Sequence, residues 1–404
     1  MKSRYMATAA AAAGVLLLAG CGGTDAAGAS SDAVRLMVIA SVNTPLQNYP
    51  DVQAGAEAAA KAINADGGIN GKDVDLQFCN ANSDPNAALA CARKAASERV
   101  AAVVGYTDTF SSSALPVLDQ AGIPAVGLMP RGNAIELESA DSFPFEGGSA
   151  GDSLAAPFGL KEVGKKSVVA ISADVPSAVA NADLIKLGAE KAGIKYAGVI
   201  KVPTSGVTDY SSYAQQIKEL GADSAMFNAT VSQIQGIMKA SKALGLDVTF
   251  MQHGTAFGTK EVADTGDVAD GLMLVAGFPP YTDTSVEGIK KYNDDMDAAG
   301  SSASALKRSG SINAWLSVYA VKAVAEGEGG GKRIDGAITS ESLMAAMKAA
   351  KNVDLLGLAT WTPMGEGPAE MPRVAHSTVS FSVVKGGDIV PSDAKPVDLV
   401  AALS

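Results

Sequence analysis

The feature that most constrains the fold of this chain is a regular alternation, from residue 34 onward, of short apolar runs with helical patterns. The run VRLMVIAS (34–41) precedes a helical pattern of small residues at 51–64, and DVDLQF (73–78) precedes another at 86–98. Short apolar runs bounded by turn residues predict buried strands. The predicted strands lie at 34–41, 73–78, 100–105, 123–128, 167–172, 196–201, 223–228, 248–253 and 271–276.

Strands that alternate with helices imply parallel sheets with right-handed crossovers. The alternation occurs in two successive sets, one up to residue 128 and one from residue 167, so the sequence predicts an α/β protein with two doubly wound lobes. Sheets of this kind bind ligands at the carboxyl ends of their strands. The segment STVSFSVVKGGD (377–388) predicts a final β region.

The first 21 residues predict an export signal. Lys2 and Arg4 precede an apolar stretch at 9–18, which is too short to span a bilayer as a stable helix. The small residues that lead to Cys21 resemble the bacterial lipobox, in which the cysteine is lipidated and becomes the new N-terminus. An ordinary signal peptide with a chance cysteine is the alternative. The polar stretch GGTDAAGASSDA (22–33) suits a flexible tether.

The charge balance bears on the class of partner. The chain has 32 basic and 43 acidic residues, a net charge of −11, and removal of the signal takes away two basic residues and no acid. A protein of this charge is unsuited to nucleic acid or to anionic membrane surfaces. We therefore expect no nucleic-acid partner.

Two further cysteines, Cys79 and Cys91, lie twelve residues apart. In an oxidising compartment this pair predicts a disulfide that ties the end of a strand to the following helix. A metal site would need more ligands, and no histidine lies near them. We expect a structural disulfide, and neither a metal nor a cofactor.

The order of several segments carries a resemblance to a known family. In the first half these are GAEAAAKAINADGGINGKDVDL, NSDPNAALACARKAASERVAAVVG and GIPAV, and in the second half TDYSSYAQQIKELGADSAMF and IMKASKALGL. This series resembles the periplasmic solute-binding proteins of ABC importers, in the branched-chain amino-acid type (class I). The resemblance runs from about Val34 to Val384.

The resemblance implies two Rossmann-like lobes joined by three crossovers, the periplasmic binding protein type I fold. Lobe 1 is expected at 34–145 plus 277–355 and lobe 2 at 146–276 plus 356–404, after a signal peptide (1–20) and a tether (21–33). It also implies a monomeric, non-enzymatic, membrane-anchored lipoprotein outside the cytoplasm. This protein would close on a small ligand and deliver it to ABC permease subunits. An extracellular sensor for a membrane receptor is the alternative, and the sequence does not separate the two.

The loop after the third predicted strand is the main candidate for ligand binding. It runs directly into a helix, so free backbone N–H groups and hydroxyls converge where a ligand carboxylate would fit. The resemblance places a ligand-binding serine at Thr109 when counted from Gly105, or at Asp108 when counted from Gly122. A solvent-facing helix cap is the alternative. The candidates in this loop are Tyr106, Thr107, Asp108, Thr109 and Ser111.

Arg131 departs from the family, whose members have a small-residue segment ending in threonine at this place. An arginine at the rim of a cleft binds a carboxylate through two parallel hydrogen bonds. Arg131 could instead pair with Asp108 and only shape the pocket. Both interpretations stay open at the level of sequence.

The second lobe lacks the groups that hold an amino-acid ammonium in relatives, which carry a tyrosine and an acid. The matching positions here are Ser177 and a place close to Gly254. Burying an ammonium without an anion is costly. The ligand is then either a branched-chain-type amino acid held by Asp108, or an amine-free carboxylate, amide or aromatic compound. Further candidates for the wall of the cleft are Tyr49, Asn228, Thr230, His253, Phe278 and Tyr281.

One motif points to another class of protein. Residues 147–151 match G-x-S-x-G, the nucleophile elbow of serine hydrolases, with Ser149 as the nucleophile. That motif needs a strand before it, and a histidine after it; PFEGG is a poor strand, and the chain contains only His253 and His376. A secreted hydrolase is therefore the remote alternative.

Overall fold

The computed structural model describes residues 32–404 apart from 45–46, 366, 368–370, 375–377 and 404. The side chains of Pro176 and Ser177 are also outside the described part. The predicted export signal, the lipidation site Cys21, the tether and His376 lie outside the described residues.

The first sheet contains five parallel strands in the order β2-β1-β3-β4-β5. Its strands are β1 (Val34–Ala40), β2 (Val74–Asn80), β3 (Ala102–Val104), β4 (Ala125–Val126) and β5 (Ser142–Phe143). The helices between these strands are α1 (Pro50–Ala65), α2 (Pro85–Glu98), α3 (Ser111–Ala121) and α4 (Ala134–Glu138). Later segments complete this lobe: α10 (Glu287–Ala299), α11 (Ser309–Ala325), α12 (Ser340–Ala349) and the hairpin β11 (Val353–Leu355)–β12 (Ala359–Trp361).

Helix α11 is the central element of the first lobe. It is apolar on nearly all sides and almost entirely buried, as expected of a core helix. The small residues of α1 let the two helices approach closely: a Cβ added at Gly55 would lie 2.2 Å from the Ser311 carbonyl oxygen. Trp315 packs in this core and donates to Asp295 Oδ2 at 2.9 Å, so it is a core residue.

The second sheet contains eight strands, with the order β14-β13-β10-β9-β8-β6-β7 and β15 beside β13. The parallel strands are β6 (Ser167–Ala173), β7 (Lys195–Val202), β8 (Ser224–Asn228), β9 (Thr249–His253) and β10 (Met273–Ala276). The antiparallel strands are β13 (Thr378–Lys385), β14 (Asp388–Pro391) and β15 (Val397–Asp398). The helices are α5 (Gly148–Glu162), α6 (Pro176–Ala192), α7 (Ser211–Leu220), α8 (Val231–Ala243), α9 (Thr259–Thr265) and α13 (Leu399–Leu403).

Each sheet has an apolar core on both faces, so the predicted fold of two doubly wound α/β lobes is confirmed. Every predicted strand overlaps a strand of the structure, and the predicted final β region forms β13 and the start of β14. The two-residue strand β5 was not predicted, because it is too short to leave a pattern.

The chain passes between the sheets three times: after β5, after β10 and after β12. The hairpin β11–β12 packs in the first core, which places Trp361 with the first lobe. The expected lobe boundaries stay a prediction. Within the described ranges, no helix is both long and apolar enough to cross a membrane.

Cys79 and Cys91 form a disulfide, with Cα atoms 5.7 Å apart. It joins the end of β2 to the middle of α2. The predicted pairing is confirmed, and the bond staples an outer strand of the first sheet to the helix that covers it.

Candidate functional site

The lobes meet where the carboxyl ends of the parallel strands in both sheets lead into polar loops. On one side of this cleft, Arg308 Nη2 lies 3.4 Å from Glu261 Oε1 on α9. Near the first passage, the Ser149 backbone N–H donates to the Pro130 carbonyl oxygen at 3.4 Å. These contacts join the lobes across the edge of the sheets that binds ligands in doubly wound proteins.

The loop after β3 turns sharply at Gly105, which has φ +59° and leaves room for Ala314 of α11. A Cβ at Gly105 would lie 2.7 Å from the Ala314 Cβ, so only glycine fits without a shift. Tyr106 and Thr107 follow and are buried, and the Thr107 backbone N–H donates to the Ile39 carbonyl oxygen at 3.1 Å. The loop is thereby fastened beside the end of β1.

Asp108 uses both carboxylate oxygens within the first lobe. Oδ1 accepts a hydrogen bond from Ser41 Oγ at 3.1 Å, and Oδ2 accepts one from the Phe110 backbone N–H at 3.1 Å. Burial raises the pKa of Asp108, while these hydrogen bonds oppose the shift. The neighbouring Thr109 hydroxyl accepts from Gln47 Nε2 at 2.6 Å. Both side chains therefore tie the loop after β3 to the loop after β1.

Ser111 and Glu136 shape the loop that carries Arg131. Ser111 Oγ donates to Glu136 Oε1 at 2.6 Å. Glu136 Oε2 accepts from three consecutive backbone N–H groups, of Arg131, Gly132 and Asn133, at 2.7, 3.0 and 3.0 Å. The buried carboxylate thus fixes the backbone from which the arginine projects.

Arg131 is half-buried, and its side chain contacts residues of the first lobe. Its Nε–H donates to Thr107 Oγ1 at 3.0 Å, and its Cζ lies 4.6 Å from the centre of the Tyr49 ring. Among the described residues, no carboxylate lies within 4 Å of its nitrogens, so Asp108 and Arg131 form no ion pair there. The guanidinium is therefore held in place by a hydroxyl and a ring, with its charge uncompensated by direct contact.

The charge of Arg131 acts on groups from both lobes. Burial is the largest cause of the pKa shift in each of these groups, raising the carboxyl values and lowering that of the imidazole, and Arg131 lowers every one of them. The groups are Asp51, Asp108, Glu146, Asp152 and His253. Arg131 is thus the common electrostatic neighbour of the two cleft walls.

The wall of the second lobe contains a buried polar cluster of Asp152, Ser153, Asn228 and His253. His253 Nδ1 lies 3.0 Å from Asp152 Oδ2, and His253 Nε2 lies 2.8 Å from Asn228 Oδ1. Ser153 Oγ donates to the same Asn228 oxygen at 3.1 Å. Burial lowers the pKa of His253 to about 3 and raises that of Asp152. His253 is therefore not free to act on Ser149, because both of its ring nitrogens are already bound.

Glu146 lies on the first passage of the chain between the lobes and contacts the second passage, which follows β10. Its Oε2 accepts from the Gly277 backbone N–H at 2.7 Å, and a Cβ at Gly277 would collide with that oxygen. Its Oε1 is buried and has no hydrogen-bond partner among the residues that the structure describes. Burial, and then the nearby Asp152, raise the pKa of Glu146 to about 8.

Thr230, predicted for the wall, is exposed and accepts from the Gln233 backbone N–H at 3.4 Å, capping α8. Ser177 lies in the first turn of α6, and its side chain is outside the described residues. The predicted wall residues Phe278 and Tyr281 line a narrow crevice of about 30 Å³ between the lobes, with Phe257, Leu274, Arg308 and Ser309 among its other residues.

The sequence analysis missed Glu146 and Asp152. Each had a weak signal, because Glu146 is a lone acid in the apolar run FPFEGG and Asp152 is a lone acid in the small-residue helix GSAGDSLAAP. A single charge without a polar face around it is typical of a buried ionisable group. Neither signal indicates which partner the group contacts.

Comparisons with known proteins agree with this architecture. A family model described as periplasmic binding protein matches residues 33–372. The leucine-, isoleucine-, valine-, threonine- and alanine-binding protein of Pseudomonas aeruginosa is 24% identical over 276 residues, which covers 66% of this chain and 73% of that protein.

Two solved structures share the fold. A solute-binding protein of an ABC transporter from Rhodopseudomonas palustris HaA2, in complex with p-hydroxybenzoic acid, has a TM-score of 0.74 at 17% identity, covering 92% of this chain and 98% of the other. A leucine-binding protein from Thermotoga maritima has a TM-score of 0.69 at 15% identity, covering 91% and 99%.

Proposed function

Because the chain belongs to the periplasmic binding protein family, in the branched-chain amino-acid type, we propose that it is the lipid-anchored substrate-binding subunit of an ABC importer. It captures a small organic solute outside the cytoplasm and delivers it to the permease. The family consists of solute-binding proteins, which are not enzymes, and we assign no reaction to this chain.

One observation carries this proposal: the Ser149 backbone N–H of α5 donates to the carbonyl oxygen of Pro130, next to Arg131, and Asp152 on the same helix contacts His253. Arg131 of the first lobe and the cluster around His253 of the second lobe therefore lie near one another. A solute that touches both walls binds the closed arrangement more tightly than the open one. It therefore shifts the population toward closure by its difference in affinity for the two arrangements. The three passages after β5, β10 and β12 are the places where hinge motion concentrates.

The anchor rests on Cys21 and on the polar stretch that follows it. Replacing Cys21 by Ser should release the mature protein from the membrane fraction and leave its ligand affinity unchanged, because the tether is remote in sequence from the cleft residues. Membrane retention of this variant would exclude the lipid anchor.

Closure is best followed by small-angle X-ray scattering, since both tryptophans of the chain, Trp315 and Trp361, lie in the core of the first lobe. We expect the radius of gyration of the full processed chain to fall when a bound solute is added. No compaction with any solute that binds would contradict the proposal. The structural relatives include proteins named for leucine and for p-hydroxybenzoic acid, so the panel should contain amino acids and organic acids.

Transport is tested in cells by deleting the gene and restoring it. We expect uptake of the bound solute to fall on deletion and to return with the wild-type protein. Closure of the lobes without any effect on uptake would favour the extracellular sensor instead. As a check on the hydrolase motif, Ser149→Ala should leave solute binding unchanged.

A further inference from the structure

Resting on the proposed function, we propose that the cleft selects a small apolar carboxylate that lacks an ammonium group. Arg131 offers such a ligand a positive charge. On the second lobe, Glu261 is already paired with Arg308 and with the Gly258 backbone N–H, and the buried pair Asp152–His253 carries no net charge, so none of these groups offers a free anion to an amine.

Arg131 is built to bind a carboxylate. Thr107 accepts from Nε, and the Tyr49 ring supports the flat face of the guanidinium. Both terminal nitrogens have no hydrogen-bond partner among the described residues, and they present the parallel N–H pair that matches a carboxylate.

The acids of the first lobe do not offer a free carboxylate to a ligand ammonium. Asp108 and Glu136 accept hydrogen bonds from the backbone and from serine hydroxyls of their own lobe. Asp51 is buried beside the first turn of α11, and neither of its carboxylate oxygens has a hydrogen-bond partner among the described residues. Burial raises its pKa to about 6, and the nearby Arg308 and Arg131 both lower it. An ammonium beside Asp51 would therefore also meet two guanidinium groups.

The pair Asp152–His253 carries no net charge. Asn228 Oδ1 accepts from Ser153 Oγ and, at 3.4 Å, from Asn181 Nδ2, so it is an acceptor toward His253 Nε2 as well. Nε2 therefore carries a proton. The hydrogen bond between His253 Nδ1 and Asp152 Oδ2 needs one further proton, which lies on one of these two atoms. Whether that proton lies on the nitrogen or on the oxygen, the two side chains together are neutral.

Glu146 is also uncharged near neutral pH. Its pKa is about 8 because burial and Asp152 oppose ionisation, and within the described part of the chain no donor lies at its Oε1 to stabilise a charge. An ammonium near Arg131 would therefore face the neutral Glu146 and the neutral pair Asp152–His253, together with the repulsion of the arginine. Burying a cation on these terms is unfavourable.

The crevice indicates the body of the ligand. Phe257 and Leu274 of the second lobe and Phe278 of the passage line it, so this narrow part of the space between the lobes, of about 30 Å³, is apolar. Arg131 lies against Tyr49, two residues before Asp51, and a Cβ at Gly310 would lie 3.2 Å from Asp51 Oδ2, while the neighbouring Ser309 lines the crevice. The arginine and the crevice therefore border one part of the cleft. An apolar acid fits this combination.

The test compares matched pairs that differ only in the amine: leucine against 4-methylpentanoate, and phenylalanine against 3-phenylpropanoate. Isothermal titration on the full processed chain should give an affinity at least tenfold higher for the acid in at least one pair. Arg131→Gln should lower the affinity for the acid by at least tenfold. Arg35→Gln is the matched control, because Arg35 is a half-buried arginine near the amino end of β1, away from the cleft.

Other outcomes separate the two proposals. If the amino acid binds as well as its acid or better, the ligand class is wrong and solute capture stands. If neither member of either pair binds, the assignment of Arg131 and the crevice is wrong, and scattering with other solutes decides on capture. Arg131→Lys keeps the charge without the paired N–H groups; if it folds and retains full affinity, the carboxylate is not bound at this position.

Discussion

The two lobes share a doubly wound topology, yet their cleft walls handle ionisable groups in opposite ways. The first lobe uses its acids on backbone N–H groups and hydroxyls, as Asp108 and Glu136 do, and leaves Arg131 charged. The second lobe places Asp152 and His253 against one another, so that this pair carries no net charge. The walls of one cleft can thus differ in charge without a difference in fold, because partners and burial decide which groups ionise.

A second difference concerns the source of stability. The first lobe has a disulfide on an outer strand, whereas the second lobe has a buried polar cluster formed by α5, β8 and β9. The four predictions below test this comparison.

The largest expected effect concerns the first lobe, which contains the disulfide. Replacing Cys79 and Cys91 together by Ser should lower the free energy of unfolding by about 3 kcal/mol, since the bond closes a loop of about thirteen residues in the unfolded chain. Urea unfolding measures this. The same loss should appear when the disulfide of the wild-type protein is reduced. A double variant as stable as the oxidised wild type would contradict a stabilising role for the disulfide.

Asn228→Leu tests the cluster of the second lobe. It removes the oxygen that accepts from His253, Ser153 and Asn181, and should cost about 2–3 kcal/mol because buried donors lose their acceptor. Asn181→Leu is the graded control, since it removes only the bond at 3.4 Å, and it should cost less than about 1 kcal/mol. Equal losses in the two variants would mean that Asn228 is not the centre of the cluster.

Glu146→Gln tests the neutrality of the passage between the lobes. With a pKa of about 8 in the folded protein, Glu146 keeps its proton while the unfolded chain loses it above the ordinary value of 4.5. The free energy of unfolding of the wild type therefore falls as pH rises from 4.5 to about 8, whereas that of the variant does not. Their difference should grow by about 1 kcal/mol per pH unit within this window. An exposed control, Glu138→Gln, should give a difference that does not change with pH.

The smallest expected effect concerns Thr107, which positions Arg131 without touching the ligand. Thr107→Val keeps the shape and removes the acceptor of the Nε hydrogen bond. We expect carboxylate affinity to fall by about two- to fivefold, an effect of up to about 1 kcal/mol. A loss as large as that of Arg131→Gln would place Thr107 in contact with the ligand.

The alternation of strands and helices predicted the layout of both sheets, and the spacing of Cys79 and Cys91 predicted their bond, because these features depend on local pattern. The sequence also indicated Arg131 and the loop of Asp108 as neighbours. It could not indicate that Glu146 is neutral, since its partner Gly277 lies 131 residues further along the chain. Charge states in this cleft follow from long-range packing, which no local pattern records.

Helix α11, at the centre of the first lobe, has a consequence for the order in which the protein is made. Gly55 on α1 packs against Ser311 on α11, so the earliest and the latest thirds of the chain form one core. Strands β6 to β10 of the second lobe follow one another without such a gap. As the chain is synthesised from its N-terminus, the first lobe begins first and yet finishes late, and the face of α1 that α11 covers stays open until α11 (Ser309–Ala325) has been made.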